Sequence, residues 1–211
     1  MLTGVLFAGV YLLYAPLALL NTPLFVFNVL VALVVMSLLV LITVYDLRHK
    51  IIPDLFSYTF AAVTFVTLFF RIGSNTEQTA IGDFSSFGFY IVMPEISHVF
   101  AGIILAFPFY FLWLVSRGRW MGLGDAKLAL GIGWFLGLAR GGTAIIYGFW
   151  IGALVSILLI CVQKMYTWKL QKQGSVGLTM KSEIPFAPFL IAGLLIVYFF
   201  GYNIFGVLEM L

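Results

Sequence analysis

The sequence predicts an all-α fold: a polytopic bundle of about seven transmembrane helices in one domain that spans residues 1–211. Hydrophobic residues make up 63% of the chain and charged residues only 9%, too few to cover the surface of a soluble domain. Several uncharged stretches also reach the roughly 20 residues that a helix needs to cross a bilayer. Basic residues, finally, are concentrated in alternate loops. Together these features predict a membrane protein.

The predicted spans follow one another with short connections in between. In chain order they are Leu2–Leu20, Leu24–Val44, Leu55–Phe70, Ser97–Ser116, Ala126–Ala139, Gly141–Gln163 and Pro185–Leu208. The first lacks the basic start and the Ala-x-Ala-like exit of a cleaved signal peptide, so we expect a retained helix. The fifth is short and rich in glycine, a composition that favours close packing against neighbouring helices.

The distribution of lysine and arginine predicts the orientation. If the N-terminus is cytoplasmic, most of the 11 basic residues fall in inner loops, as the positive-inside rule expects. The inner residues are Arg48, Lys50, Arg117, Arg119, Lys127, Lys164, Lys169, Lys172 and Lys181, and the outer ones are Arg71 and Arg140. The net charge of +3 therefore reflects membrane orientation, and we expect no nucleic-acid partner.

Two carboxylates lie at the predicted membrane edge, where a charge is costly and by default indicates function. Asp46 closes the second span in ITVYDLRHKIIPD, and Asp125 opens the short helix in GLGDAKL. With alternating spans, both lie at the cytoplasmic edge. The sequence therefore predicts that these two side chains meet.

Two carboxyl groups in one site cannot easily both ionise, so one keeps a proton. The anionic group can draw a proton from water while the protonated group polarises a peptide carbonyl. This chemistry needs no metal ion or cofactor. Helix dipoles favour an anion at Asp125 and disfavour one at Asp46, so we hypothesise that Asp46 holds the proton. Gly122 and Gly124 leave room for a substrate backbone and tolerate unusual dihedrals.

The same residues also fit structural roles or other functions. Asp46 fits an ordinary solvated loop, Asp125 fits a helix cap, and Asp54, next to Pro53, fits a turn or N-cap. A proton- or cation-coupled transporter could also use the two aspartates, although neither half of the chain repeats the other. A third possibility is a non-catalytic assembly subunit.

Three stretches together resemble the type IV prepilin peptidase family, which includes the preflagellin peptidases and belongs to the GxGD aspartic proteases. They are Asp46 followed by Ile52-Pro53-Asp54, then Gly122-Leu123-Gly124-Asp125-Ala126-Lys127-Leu128, and KSEIPFAPFLIAG from Lys181 to Gly193. Presenilin and signal-peptide-peptidase enzymes are similar in part. They place the first aspartate deeper in a span and lack the following Ile-Pro-Asp.

The resemblance implies that Asp46 and Asp125 are the catalytic aspartates. It also implies site-shaping or substrate-binding roles for further motif residues: Gly122, Gly124, Lys127, Pro53, Lys181 and Pro185. Such enzymes remove short basic leaders from pilin-like or flagellin-like precursors whose hydrophobic helix lies in the bilayer. The expected location is therefore the inner (cytoplasmic) membrane, with the active site at its cytoplasmic face.

One departure from many bacterial members concerns cysteine. Those members carry paired cysteines in an N-terminal cytoplasmic portion and also methylate the new N-terminus. This chain has a single cysteine, Cys161, and no room for such a loop between Leu20 and Leu24. We therefore expect a peptidase without methyltransferase activity.

Overall fold

The computed structural model describes residues 2–14, 23–69, 80–84, 89–92, 96–169 and 185–201. The helices in these ranges are α1 (Leu2–Tyr14), α2 (Pro23–His49), α3 (Asp54–Thr67), α4 (Ile96–Ser116), α5 (Leu123–Leu136), α6 (Leu138–Lys169) and α7 (Ala187–Phe200). The predicted helical class is thus confirmed. Two antiparallel strands, β1 (Ala80–Phe84) and β2 (Phe89–Val92), form a hairpin between α3 and α4. The sequence pattern had left that segment unassigned.

Three of the described helices are long and apolar enough to cross a membrane, over Val26–His49, Ile96–Ser116 and Leu138–Val162. With these spans, the structure indicates a membrane protein, while the full number of seven spans stays a prediction. The helix α7 is shorter than the predicted span to Leu208. It ends at Phe200 because Gly201 adopts a left-handed conformation with φ of 66°, which terminates helices.

The helices α2 and α5 also differ from their predicted spans in a way that concerns the aspartates. The helix α2 continues beyond Val44 to His49, so Asp46 lies within its last turn. The helix α5 begins at Leu123, before the predicted Ala126, so Asp125 lies in its first turn. Asp46 therefore lies at the end of one helix and Asp125 at the start of another, as expected from the sequence.

Glycines allow the helices to pack closely. A Cβ atom at Gly133 of α5 would lie 2.5 Å from the Cα of Gly102 in α4, so no larger residue fits between these backbones. Gly131 of α5 lies against the ring of Phe60 in α3, and Gly193 of α7 lies against the backbone of Ala144 in α6. The predicted close packing of the glycine-rich helix is confirmed.

Candidate active site

Asp46 lies at the buried end of α2. Asp46 is only 4% exposed. It lies on the same helix face as Leu39 and Ile42, which are fully buried. The backbone amide of Ala187, the first residue of α7, donates a hydrogen bond to its carboxyl. The Oδ2 atom of Asp46 is buried and has no hydrogen-bond partner among the described residues. One oxygen of this carboxyl is therefore buried without a hydrogen bond from the described residues, which is costly for a charged group.

Asp125 lies at the third position of α5, whose N-cap is Gly122. Its backbone N–H donates to the carbonyl oxygen of Gly122 over 3.3 Å, and its carboxyl accepts a hydrogen bond from the Gly122 amide. The bond from the Gly122 amide to the Asp125 carboxyl is one of the two bonds of a capping box, and it satisfies an N–H at the helix start that would otherwise lack a partner. The residue is 7% exposed. The capping role and a chemical role are thus compatible.

Both aspartates line one cavity of about 450 Å³ at the end of the bundle where α2 ends and where α3, α5 and α7 begin. The turn between α4 and α5 forms another wall through Arg119 and Trp120. Pro185 and Phe186, which precede α7, also border the cavity. The structure therefore brings Asp46 and Asp125 together at one site.

The environment of Asp125 favours its protonated form. Burial and the neighbouring negative charge of Asp46 raise the pKa of Asp125 to about 7, although the Gly122 amide acts in the opposite direction. Asp125 precedes the predicted span Ala126–Ala139 and borders the open cavity. The hypothesis that Asp46 holds the proton was based on the helix dipoles alone, and it stays a prediction.

The two glycines before Asp125 have different roles. Gly122 borders the cavity, and a Cβ there would lie 3.8 Å from Oδ2 of Asp125, which is ordinary contact. A Cβ at Gly124 would lie 2.8 Å from Cβ of Ile52, so Gly124 lets the turn after α2 approach α5. Neither glycine uses its tolerance of unusual dihedrals, since Gly122 has φ of −76° and Gly124 is helical. Close approach explains Gly124 instead.

Lys127 forms an ion pair that the sequence did not predict. Its Nζ lies 2.6 Å from Oδ1 of Asp54 and 4.2 Å from the centre of the Tyr58 ring. Asp54 is the first residue of α3, and the N-cap is Pro53, so Asp54 is not the cap. The Lys127 side chain is 12% exposed and does not line the cavity. Nothing in the spacing of Asp54 and Lys127 indicated that α3 and α5 are neighbours.

Two of the remaining predicted residues, Pro53 and Pro185, lie at the site or next to it. Pro53 ends the turn after α2, and its carbonyl accepts the N–H groups of Phe56 and Ser57. Pro185 lines the cavity itself. Lys181 lies outside the described residues. The sequence missed the Ala187 amide because only the arrival of α7 beside α2 places it against Asp46.

Comparison with known proteins identifies one family. The profile of the type IV leader peptidase family matches residues 33–157, a range that includes Asp46 and Asp125. No curated protein and no solved structure shows significant similarity to the chain. Because the profile covers more than half of the chain, this protein belongs to the type IV leader peptidase family.

Proposed function

We propose that this protein is a membrane aspartic endopeptidase in which Asp46 and Asp125 activate a water molecule. The observation that carries the proposal is that two buried carboxyls from separate helices line one cavity. Membership of a leader peptidase family supports it. A proton- or cation-coupled transporter, the alternative from the sequence, gains no support from that family.

The reaction needs one ionised and one protonated carboxyl. The ionised aspartate takes a proton from water while the water oxygen attacks the carbonyl carbon of the scissile peptide. The protonated aspartate gives its proton to the carbonyl oxygen, and a tetrahedral diol forms. Proton transfer to the peptide nitrogen then breaks the C–N bond, which leaves a carboxylic acid and an amine.

In this proposal Asp125 holds the proton and Asp46 is the base. The raised pKa of Asp125 supports its protonated form near neutral pH. Asp46 accepts a hydrogen bond from the amide of Ala187 at the start of α7, and the positive end of a helix dipole stabilises an anion. The residue lines the cavity, so its carboxylate can accept a proton from a water molecule bound there. Coupled carboxyls titrate as a pair, so the pH dependence belongs to both.

The proposed substrates are pilin-like or flagellin-like precursors with a short basic leader and a hydrophobic helix. Arg48 of α2 and Arg119 of the turn after α4 belong to the same end of the bundle as the cavity, which supports a cytoplasmic active site under the positive-inside rule. An inner-membrane location, a cytoplasmic N-terminus and the lack of methyltransferase activity belong to the same proposal.

Incubation of the purified protein with pilin-like precursors in lipid vesicles tests this function. We expect one cut between the basic leader and the apolar helix, located by sequencing the N-terminus of the product. The new N-terminus should carry no methyl group. Intact precursor after prolonged incubation, with binding retained, would favour a non-catalytic assembly subunit.

A further inference from the structure

A second recess lies on the opposite side of α2 from the catalytic residues. This groove has a volume of about 570 Å³ and shares no lining residue with the catalytic cavity. Its lining residues are Thr3, Ser37, Val40, Leu41, Val44, Tyr45, Arg48, His49 and Phe56. Most belong to α2, and Thr3 of α1 and Phe56 of α3 complete the walls. We call it the α2 groove.

The α2 groove is apolar along its length and basic at one end. Ser37, Leu41, Val44 and Arg48 follow one another at three- or four-residue intervals, so they form one continuous stripe on the helix. Arg48 and His49 lie in the last turn of α2. The single ion pair among the described residues joins Lys127 to Asp54. The described part of the chain thus offers Arg48 no carboxylate partner.

The length of the stripe matches one leaflet of a bilayer. From Ser37 to Arg48 the helix rises about 16 Å, at 1.5 Å per residue. The hydrocarbon core of a bilayer is about 30 Å thick, so one leaflet contributes about 15 Å. A ligand whose apolar part lies along Leu41 and Val44 would therefore place its polar head beside Arg48.

We propose that the α2 groove binds an anionic glycerophospholipid, with one acyl chain along the stripe and the phosphate beside Arg48. A guanidinium group suits this role because it binds phosphate through two parallel hydrogen bonds.

The ring of His49 stacks on that of Tyr45 with centroids 4.3 Å apart, and Tyr45 also meets Phe56 edge to face at 6.1 Å. These contacts join the ends of α2 and α3 and form the part of the groove nearest to Arg48. The site is therefore built from packed aromatic rings, in addition to the exposed cation.

The proposal can be tested by measuring which lipid the protein retains, a measurement that does not depend on peptidase activity. The full-length protein is reconstituted in vesicles with equal amounts of phosphatidylglycerol and phosphatidylcholine, extracted in mild detergent, and weighed intact by native mass spectrometry. One basic side chain beside an anionic lipid favours its binding about fivefold. We therefore expect the wild-type protein to retain phosphatidylglycerol over phosphatidylcholine by about that ratio.

Three variants separate the groove from general surface charge. Arg48→Gln should abolish the preference, whereas Arg117→Gln, which removes an exposed cation from the turn after α4, should keep it. Val44→Trp, which fills the groove at a position that is 59% exposed, should lower retention of both lipids. Equal losses in Arg48→Gln and Arg117→Gln would overturn the proposal. So would displacement of phosphatidylglycerol by millimolar inorganic phosphate, because the acyl chain would then contribute nothing.

Discussion

The Nζ of Lys127 lies 2.6 Å from Oδ1 of Asp54, and this contact joins the first residue of α3 to the second turn of α5. Asp125 precedes Lys127 by two residues on the same helix. The ion pair therefore constrains the helix end that presents the carboxyl of Asp125, the proposed proton donor. Lys127 does not line the cavity, although Asp54 does, so we regard Lys127 as a positioning residue.

Loss of this ion pair should lower the rate more than the stability. Asp54 is 73% exposed, and exposed ion pairs contribute only about 0–1 kcal/mol to stability. A small displacement of a catalytic group can cost on the order of a hundredfold in rate. We thus expect Lys127→Met to reduce kcat strongly, with little change in KM and a nearly normal melting temperature.

A double-mutant cycle checks that the two residues act together. Asp54→Asn combined with Lys127→Met should be no slower than Lys127→Met alone, because the first substitution has already removed the contact. Multiplied effects in the double variant would show that the two side chains act independently.

The rate of cleavage should decline as the pH rises above about 7. Burial and the charge of Asp46 raise the pKa of Asp125 to about 7, so Asp125 is protonated below that pH and loses its acid function above it. A pH profile of kcat at constant ionic strength measures this decline. A rate that keeps rising through pH 8 would contradict the role of Asp125 as proton donor.

The same carboxyl makes stability depend on pH. Its folded pKa of about 7 lies above its unfolded value, so the folded state holds the proton more tightly. Stability should therefore fall as the pH rises from about 4 to about 7 and should change little from this source above that. Asp125→Asn should show a smaller loss of melting temperature than the wild type between pH 5 and pH 8. Identical losses would contradict the raised pKa.

Gly124 and Gly122 should differ in their tolerance of alanine. A Cβ at Gly124 would overlap Ile52 at 2.8 Å, and such overpacking costs about 1–3 kcal/mol. At Gly122 the nearest contact is 3.8 Å, so Gly122→Ala is the matched control. We expect a lower melting temperature for Gly124→Ala than for Gly122→Ala. Equal melting temperatures for the two alanine variants would rule out the close approach.

The sequence predicted the helical class and the position of both aspartates at one end of the bundle, because the length of an apolar stretch and a charge at its edge are local signals. It could not predict that Asp54 meets Lys127, since their contact depends on how α3 packs against α5. The chain alone also could not show how deeply the two aspartates are buried. Helix dipoles can be read from the chain, whereas the burial of Asp125 arises only when α2, α5 and α7 come together.

The central proposal is that two carboxyls act as one catalytic unit. Cleavage of a precursor by the Asp46→Asn and Asp125→Asn variants tests it most directly. Each substitution should slow cleavage by about 10²- to 10⁴-fold while precursor binding remains. The double variant should be no slower than either single one, because residues that act as a unit are not additive. Cleavage at the wild-type rate by either single variant would contradict the account.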